Sequence, residues 1–250
     1  MTSAIVQELA GKVALVTGAA GDIGRCTVEQ LRQSGCRVVA ADAKPAVEAL
    51  RERGYIECIQ GDLRQEETAQ RAVAAAAAYF GTLDILVNNA GRHLQRPSLE
   101  TTITEWDDII DVNARGTFLH CREALKLMAQ RGSGAIVNVA SISGVIGIAG
   151  QVAYAASKGA IIQITRTLAI EFAANGIRVN AVAPGAVVTG FLGDNVPDSR
   201  ALLESFGPHH PIGRSARPEE IAEVIVFLAS SRASFMTGAI LMADGGYTAA

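Results

Sequence analysis

Short apolar runs alternate along this chain with longer stretches of helical spacing, and no other feature restricts its architecture as much. Residues 12–17, 36–41, 55–59, 84–87, 135–140, 177–183 and 239–242 read as strands; residues 24–33, 66–80, 106–113, 150–175 and 219–229 read as helices. Runs this apolar suit strands buried on both faces, and strand–helix alternation suits parallel crossovers. The expected fold is α/β, one doubly wound parallel sheet with helices on both faces and strand order 3-2-1-4-5-6-7. At 250 residues the chain fits a single domain of this kind over its whole length. Ligands of such sheets bind outside the carboxyl ends of the strands.

The first strand runs into Gly18-Ala19-Ala20-Gly21-Asp22-Ile23-Gly24, after which helical spacing resumes. Strand, glycine turn and helix in this order form the dinucleotide-binding context of Rossmann-type domains. The glycines let backbone N–H groups approach a pyrophosphate, and the helix N-terminus adds partial positive charge. Asp22 stands where a carboxylate would either cap the helix or face, and repel, that pyrophosphate. Asp42 ends the second strand, where an acid either closes a turn or accepts hydrogen bonds from the adenosine ribose and opposes a 2′-phosphate. The second reading favours NAD over NADP, although Arg25 and Lys44 are cations close by in sequence.

In the longest helical stretch Tyr154 and Lys158 lie four residues apart and share a face. An ammonium beside a phenol favours phenolate, drawing its pKa down from ~10 toward values useful to a proton acceptor. Taken alone, Tyr-x-x-x-Lys also fits a surface helix pair. Ser141 follows the strand at 135–140. Ser141, Tyr154 and Lys158, together with the glycine turn, resemble the short-chain dehydrogenase/reductase family, and matching features run from about Lys12 to Gly246.

The resemblance implies reversible hydride transfer between an alcohol carbon and a nicotinamide cofactor, with Tyr154 carrying the proton and Ser141 holding the substrate oxygen. It puts Lys158 on the nicotinamide ribose. Asn113, in a stretch similar to the family's Asn-x-x-Gly, is then the fourth catalytic residue, linking Lys158 to solvent through water or backbone. Cofactor contacts fall on Gly18, Asp22, Ile23, Gly24, Asp42, Asp62, Leu63, Asn89, Ala90, Gly91, Tyr154, Lys158, Pro184, Gly185, the Val187 backbone and the Thr189 hydroxyl. Asp22 departs from the pattern, since a glycine is expected there. A homotetramer, or a dimer, is implied as well, and the apolar Ile161, Ile162, Ile164, Leu168 and Phe172 exceed what one sheet contact would cover.

A net charge of −3 without any basic block argues against a nucleic-acid partner, and no apolar run reaches the ~18–20 residues of a membrane span. Residues 1–10 lack a basic start followed by an apolar core, so a cytoplasmic location is expected. Cys26, Cys36, Cys58 and Cys121 are scattered without metal-ligand spacing and read as reduced packing residues; no metal is expected. The alanine-rich run at 72–78 reads as a close-packed helix, and His120 and Cys121 as core or interface.

Residues 190–217, punctuated by Gly193, Pro197, Gly207, Pro208, Pro211 and Gly213, read as a mobile substrate lid. Apolar residues at 142–150, with Phe191, Leu192, Leu202, Leu203 and Phe206, either pack on the sheet or line a pocket for a cyclic, aromatic or medium-chain alcohol. Arg92, Arg96, His209 or His210 turned inward would instead suit an anionic or polyhydroxylated substrate. The leading function is NAD-dependent interconversion of a secondary alcohol and its ketone. A carrier-bound 3-oxoacyl-thioester reductase is the alternative, against which the resemblance sets Ile170, where such enzymes often carry a basic residue. A non-catalytic dinucleotide-binding protein is third, opposed by the four intact catalytic positions.

Overall fold

The structure, a computed structural model, describes residues 9–193, 196 and 198–249. Residues 1–8 of the N-terminal stretch, and Pro197 of the expected lid, lie outside the described residues. Strands β1 (Val13–Thr17), β2 (Arg37–Asp42), β3 (Ile56–Gln60), β4 (Ile85–Asn88), β5 (Gly134–Val139), β6 (Ile177–Pro184) and β7 (Ile240–Ala243) form one sheet. Their order is β3-β2-β1-β4-β5-β6-β7 and every pairing is parallel, as the strand–helix alternation required.

Alternation along β1 divides the core. Ala14 and Val16 pack with Val28 and Leu31 of α1 (Asp22–Gln33) and share a cluster with Ile221 and Ile225 of α7 (Pro218–Ala229). On the other face, Val13 and Leu15 share a cluster with α2 (Glu66–Phe80), α4 (Gly116–Arg131) and α5 (Val152–Phe172). Ala72, Ala75 and Ala76 are buried there, so the alanine run does serve close packing. Fully buried side chains such as Leu15 and Leu86 each contribute roughly 1.5–3 kcal/mol. Cys36, Cys58 and Cys121 are buried free thiols. Among the described residues no helix is long and apolar enough to cross a membrane.

Two expectations change. The helix anticipated over 106–113 begins earlier, as α3 (Ile103–Ile110), because Thr102 and Glu105 close a capping box at its start. It then passes through a single π turn, Asp111–Arg115, directly into α4. Secondly, the apolar surplus on α5 is largely absorbed within the subunit: Ile161 and Ile162 are buried, and Leu168 and Phe172 pack against the core. The exposed apolar side chains of α5 are Val152 and Ile170.

At the amino end of the sheet, the Arg178 guanidinium donates to the carbonyls of Leu228, Ala229, Ser230 and Ala233. It thereby satisfies the orphan carbonyls that end α7 and sets a cation at the negative end of that helix.

Candidate active site

The crevice at the carboxyl ends of the strands is built around the glycine turn. Gly18 has φ +64°, and a Cβ there would stand 2.7 Å from the Ala90 Cα; one at Gly24 would stand 2.1 Å from the Gly18 carbonyl oxygen. Both positions therefore require glycine. The Thr17 hydroxyl oxygen accepts from the Asn89 and Ala90 N–H groups at 3.1 and 3.2 Å, and Asn89 Nδ2 donates to the Gly18 carbonyl at 3.0 Å. The ends of β1 and β4 are thus locked together under the turn. Asp42 is only 7 % exposed, and its carboxylate accepts from Ala20 N in the turn at 2.9 Å and from Lys44 N at 2.8 Å. Among the described residues it makes no ion pair, so the end of β2 presents an uncompensated negative charge beside the turn. A tight glycine turn at a helix N-terminus, with a fixed acid at the next strand end, fits a dinucleotide.

Asp22 takes neither role expected of it. The N-cap of α1 is Gly21, which has no side-chain cap, and the Asp22 carboxylate reaches across to the segment after β6. It accepts from Gly190 N at 2.8 Å and pairs with Arg200 at 2.6 Å, in α6 (Ser199–Ser205). Its charge is therefore compensated by Arg200, and it ties the segment after β6 to the turn. Asp22→Gly is expected to speed amide hydrogen exchange at Gly190 by about tenfold, the worth of a charge-assisted bond of roughly 1.5 kcal/mol. Unchanged exchange would show that the tie holds nothing.

Asp62 is engaged too. Its carboxylate binds the Arg64 guanidinium at 2.8–3.0 Å, which holds it below the usual carboxylate range, and Arg64 goes on to Asp108 at 2.9 Å. Leu63 is buried in the cluster with α2 and α4, and Ile23 packs against the cluster on the other face of the sheet.

Ser141, Tyr154 and Lys158 converge, all buried, where α5 crosses the end of β5. The 3-10 turn Ile142–Gly144 packs so closely on α5 that a Cβ at Gly144 would lie 2.7 Å from the Lys158 carbonyl carbon. The Ser141 hydroxyl is hydrogen-bonded with the Tyr154 phenol and also accepts from Ser143 N at 3.1 Å. Lys158 Nζ donates to the Val139 carbonyl at 2.8 Å and lies 5.7 Å from the Tyr154 ring centre. The expected downward pull of Lys158 on Tyr154 is overridden. Burial pushes the phenol up to about 12, opposed only by Ser141, and burial also draws the Lys158 ammonium down to about 8. At neutral pH the pair is a phenol that can donate and a cation.

Asn113 sits in the π turn, fully buried, a placement common for functional residues. Its amide oxygen accepts from Arg92 N at 2.8 Å, and its Nδ2 donates to the Arg92 carbonyl at 3.0 Å and the Ser157 hydroxyl at 2.9 Å. The side chain is thus committed to fixing the loop after β4, and the Asn113 carbonyl accepts from the Thr117 hydroxyl at 2.7 Å. A Cβ at Gly91 would come within 3.3 Å of Asn113 Oδ1 and 3.5 Å of Lys158 Nζ, so glycine keeps that corner open.

Pro184 and Gly185 close β6 as expected. A Cβ at Gly185 would meet His210 Nε2 at 2.7 Å, and that nitrogen accepts from Ala186 N at 3.1 Å. His210 is therefore a buried strut between the segment after β6 and the strand end rather than a surface residue or a substrate ligand. Val187 bridges to Ala216; Thr189, also buried, donates to the Val187 carbonyl at 3.2 Å. Of the apolar residues after β6, Leu203 packs inward, Leu202 and Phe206 are exposed, and Phe191 stands 6.2 Å from the Tyr154 ring.

Arg92 pairs with Asp108 and Arg96 with Glu105, while exposed His209 lies beside Phe206. The residue that does face the centre is His93, to which the sequence alone assigns no role. Its ring sits edge-on to Tyr154 at 4.9 Å. Only its place two residues beyond Asn-Asn-Ala-Gly could have pointed to it.

The family model described as enoyl-(acyl carrier protein) reductase matches residues 18–248. The chain is similar to a cis-4-hydroxycyclohexanecarboxylate dehydrogenase of Sinomonas cyclohexanicum, 43% identical over 97% of this chain and 99% of that one. It is also similar to a D-threitol dehydrogenase of Mycolicibacterium smegmatis, 40% identical over 96% and 94%. Among solved structures, levodione reductase superposes with a TM-score of 0.89 at 33% identity, over 96% of this chain and 99% of that one. With the seven-stranded parallel sheet, the glycine turn and the Ser141–Tyr154–Lys158 centre in place, the chain belongs to the short-chain dehydrogenase/reductase family, whose members use a nicotinamide dinucleotide.

Proposed function

We propose that this enzyme interconverts a secondary alcohol, cyclic or otherwise mainly apolar, and its ketone with NAD. The observation that carries the reading is the neutral, buried Tyr154 phenol, hydrogen-bonded to Ser141 and walled by His93 and Phe191. Bound along the glycine turn, the dinucleotide supplies the hydride acceptor or donor. Ser141 holds the substrate oxygen, and Tyr154 gives that oxygen a proton in reduction and takes it in oxidation. Lys158 sets a cation beside both and would carry the ribose contact; the Val187 backbone, Thr189, Gly18, Asn89, Ala90 and Gly91 are the other residues that would hold the dinucleotide.

Relatives named for a hydroxycyclohexane substrate and for levodione support a ring, whereas the threitol relative supports a polyol. The ring is favoured because Arg92 and Arg96 are spent in ion pairs and His210 in a strut. Steady-state comparison of cyclohexanol, 1-phenylethanol, sorbitol and a 3-hydroxyacyl thioester tests this. A clear win for sorbitol or the thioester would sink it. The thioester reading draws on the name of the matching family model; against it, Ile170 is apolar and 82 % exposed where a basic residue is expected.

Preference for NAD rests on Asp42. Buried and, among the described residues, without an ion pair, it opposes a 2′-phosphate, so Asp42→Ala is expected to raise kcat/KM with NADP relative to NAD by about tenfold or more. A wild type that prefers NADP refutes the assignment. Assembly as a homotetramer, or a dimer, is supported by exposed Phe118 on α4 and by Val152 and Ile170 on α5. Light scattering at micromolar concentration should give a multimeric mass, and a monomer rules it out. The buried free thiols suit a reducing, cytoplasmic location.

A further inference from the structure

His93 is held in place from two sides. Asn113 grips the Arg92 backbone through both its N–H and its carbonyl. On the other side Arg96 N donates to the Gly150 carbonyl at 2.7 Å and Gln95 Nε2 to the Ala149 carbonyl at 2.9 Å. Gln151 then links Gln95 at 3.0 Å to the Ser143 hydroxyl at 2.8 Å, two residues from Ser141. The loop after β4 is thereby registered against the centre, and the His93 ring is fixed 4.9 Å from the Tyr154 ring and 6.2 Å from Phe191.

The imidazole packs against the Tyr154 and Phe191 rings, and Lys158 is the cation that acts on it. Burial and the Lys158 cation together hold it neutral, down at about 4. A neutral imidazole carries one N–H donor and one nitrogen acceptor, and among the described residues neither is used by a protein partner. A half-buried donor and acceptor, on a ring packed beside the Tyr154 phenol ring, are groups that a substrate must satisfy or leave costly.

We infer that His93 is a specificity-determining residue that hydrogen-bonds a second, uncharged oxygen of the substrate, adapting the site to diols and hydroxyketones over simple mono-alcohols. The inference rests on the reading of the site as a secondary-alcohol dehydrogenase. The edge-on contact with Tyr154 sets this oxygen on the same small molecule as the one bound by Ser141 and Tyr154. Neutrality selects hydroxyl or carbonyl over carboxylate, because a neutral ring can both give and take a hydrogen bond and forms no ion pair with an anion.

The test compares kcat/KM for the cyclohexane-1,2- and 1,4-diols with that for cyclohexanol, with NAD, in wild type, His93→Phe and His93→Gln. Wild type should favour one of the diols. In His93→Phe the ratio of that diol to cyclohexanol should fall about tenfold or more, mainly through KM, because the site was built to pair that oxygen. His93→Gln, which restores an uncharged donor and acceptor, should recover part of the ratio. Because the ratio is taken within each preparation, partial loss of folded protein cancels. An unchanged ratio in His93→Phe, or a His93→Gln as impaired as His93→Phe, overturns the inference while leaving the dehydrogenase reading intact. A wild type that favours 4-hydroxycyclohexanecarboxylate over both diols overturns it in favour of an anionic group. A wild type that oxidises none of these alcohols with either cofactor overturns both.

Discussion

Tyr154→Phe should lower kcat by about 10²–10⁴-fold, the usual worth of a positioned proton-transfer group, with little change in cofactor Kd. The substitution removes one oxygen and little packing. The ring remains against Leu94, Trp106, Ile109 and Ala153, and only the hydrogen bond with Ser141 is lost, about 1 kcal/mol. Steady-state kinetics, a cofactor titration and a melting curve separate the three effects. Retention of more than about a tenth of wild-type kcat would exclude Tyr154 as the proton carrier. Because burial keeps this phenol protonated up to about 12, it is already a donor at neutral pH, the form required for reducing a ketone. Oxidation needs the same group to accept a proton, so the variant should be impaired in both directions.

Lys158→Met should abolish turnover and at the same time make the protein more stable. The ammonium is buried and its pKa is drawn from 10.5 down to about 8. The charged form is thus penalised in the folded state by about 3 kcal/mol at pH 7, at ~1.4 kcal/mol per pKa unit. Methionine removes that penalty but leaves the Val139 carbonyl without its donor, a loss of about 1 kcal/mol, so the net gain at pH 7 is about 2 kcal/mol.

The sign follows from proton counting. Between pH 8 and 10.5 the unfolded wild type binds more protons than the folded one, so wild-type stability rises with pH through that window and the advantage of methionine shrinks. Above about pH 10.5 the lysine is neutral in both states and the advantage is gone. Urea unfolding at pH 7 and pH 10.5 measures both ends, and a methionine variant less stable than wild type at pH 7 contradicts the argument. A buried cation that destabilises the fold is the kind of strain expected where function requires it.

The strand order, the glycine turn and the Ser141, Tyr154 and Lys158 positions were all legible in the sequence. The strand and helix segments and the Tyr154–Lys158 spacing depend on periodicity within one element, a local property of the chain, whereas the strand order follows from the doubly wound fold class and the place of Ser141 from the family resemblance. Where the side chains point across the fold was not legible. Asp22 finds its partners at Gly190 and Arg200, far along the chain, and no local rule distinguishes that from a cap. His93, to which no role was assigned, joins Tyr154 and His210 becomes a strut, because loops are positioned by contacts such as those of Asn113 and Gln95 rather than by their own composition. The direction of the Tyr154 shift was misread for a related reason. Proximity of Lys158 on the helix could be counted from the sequence, but desolvation depends on everything that packs around the phenol, and only the tertiary structure brings those groups together.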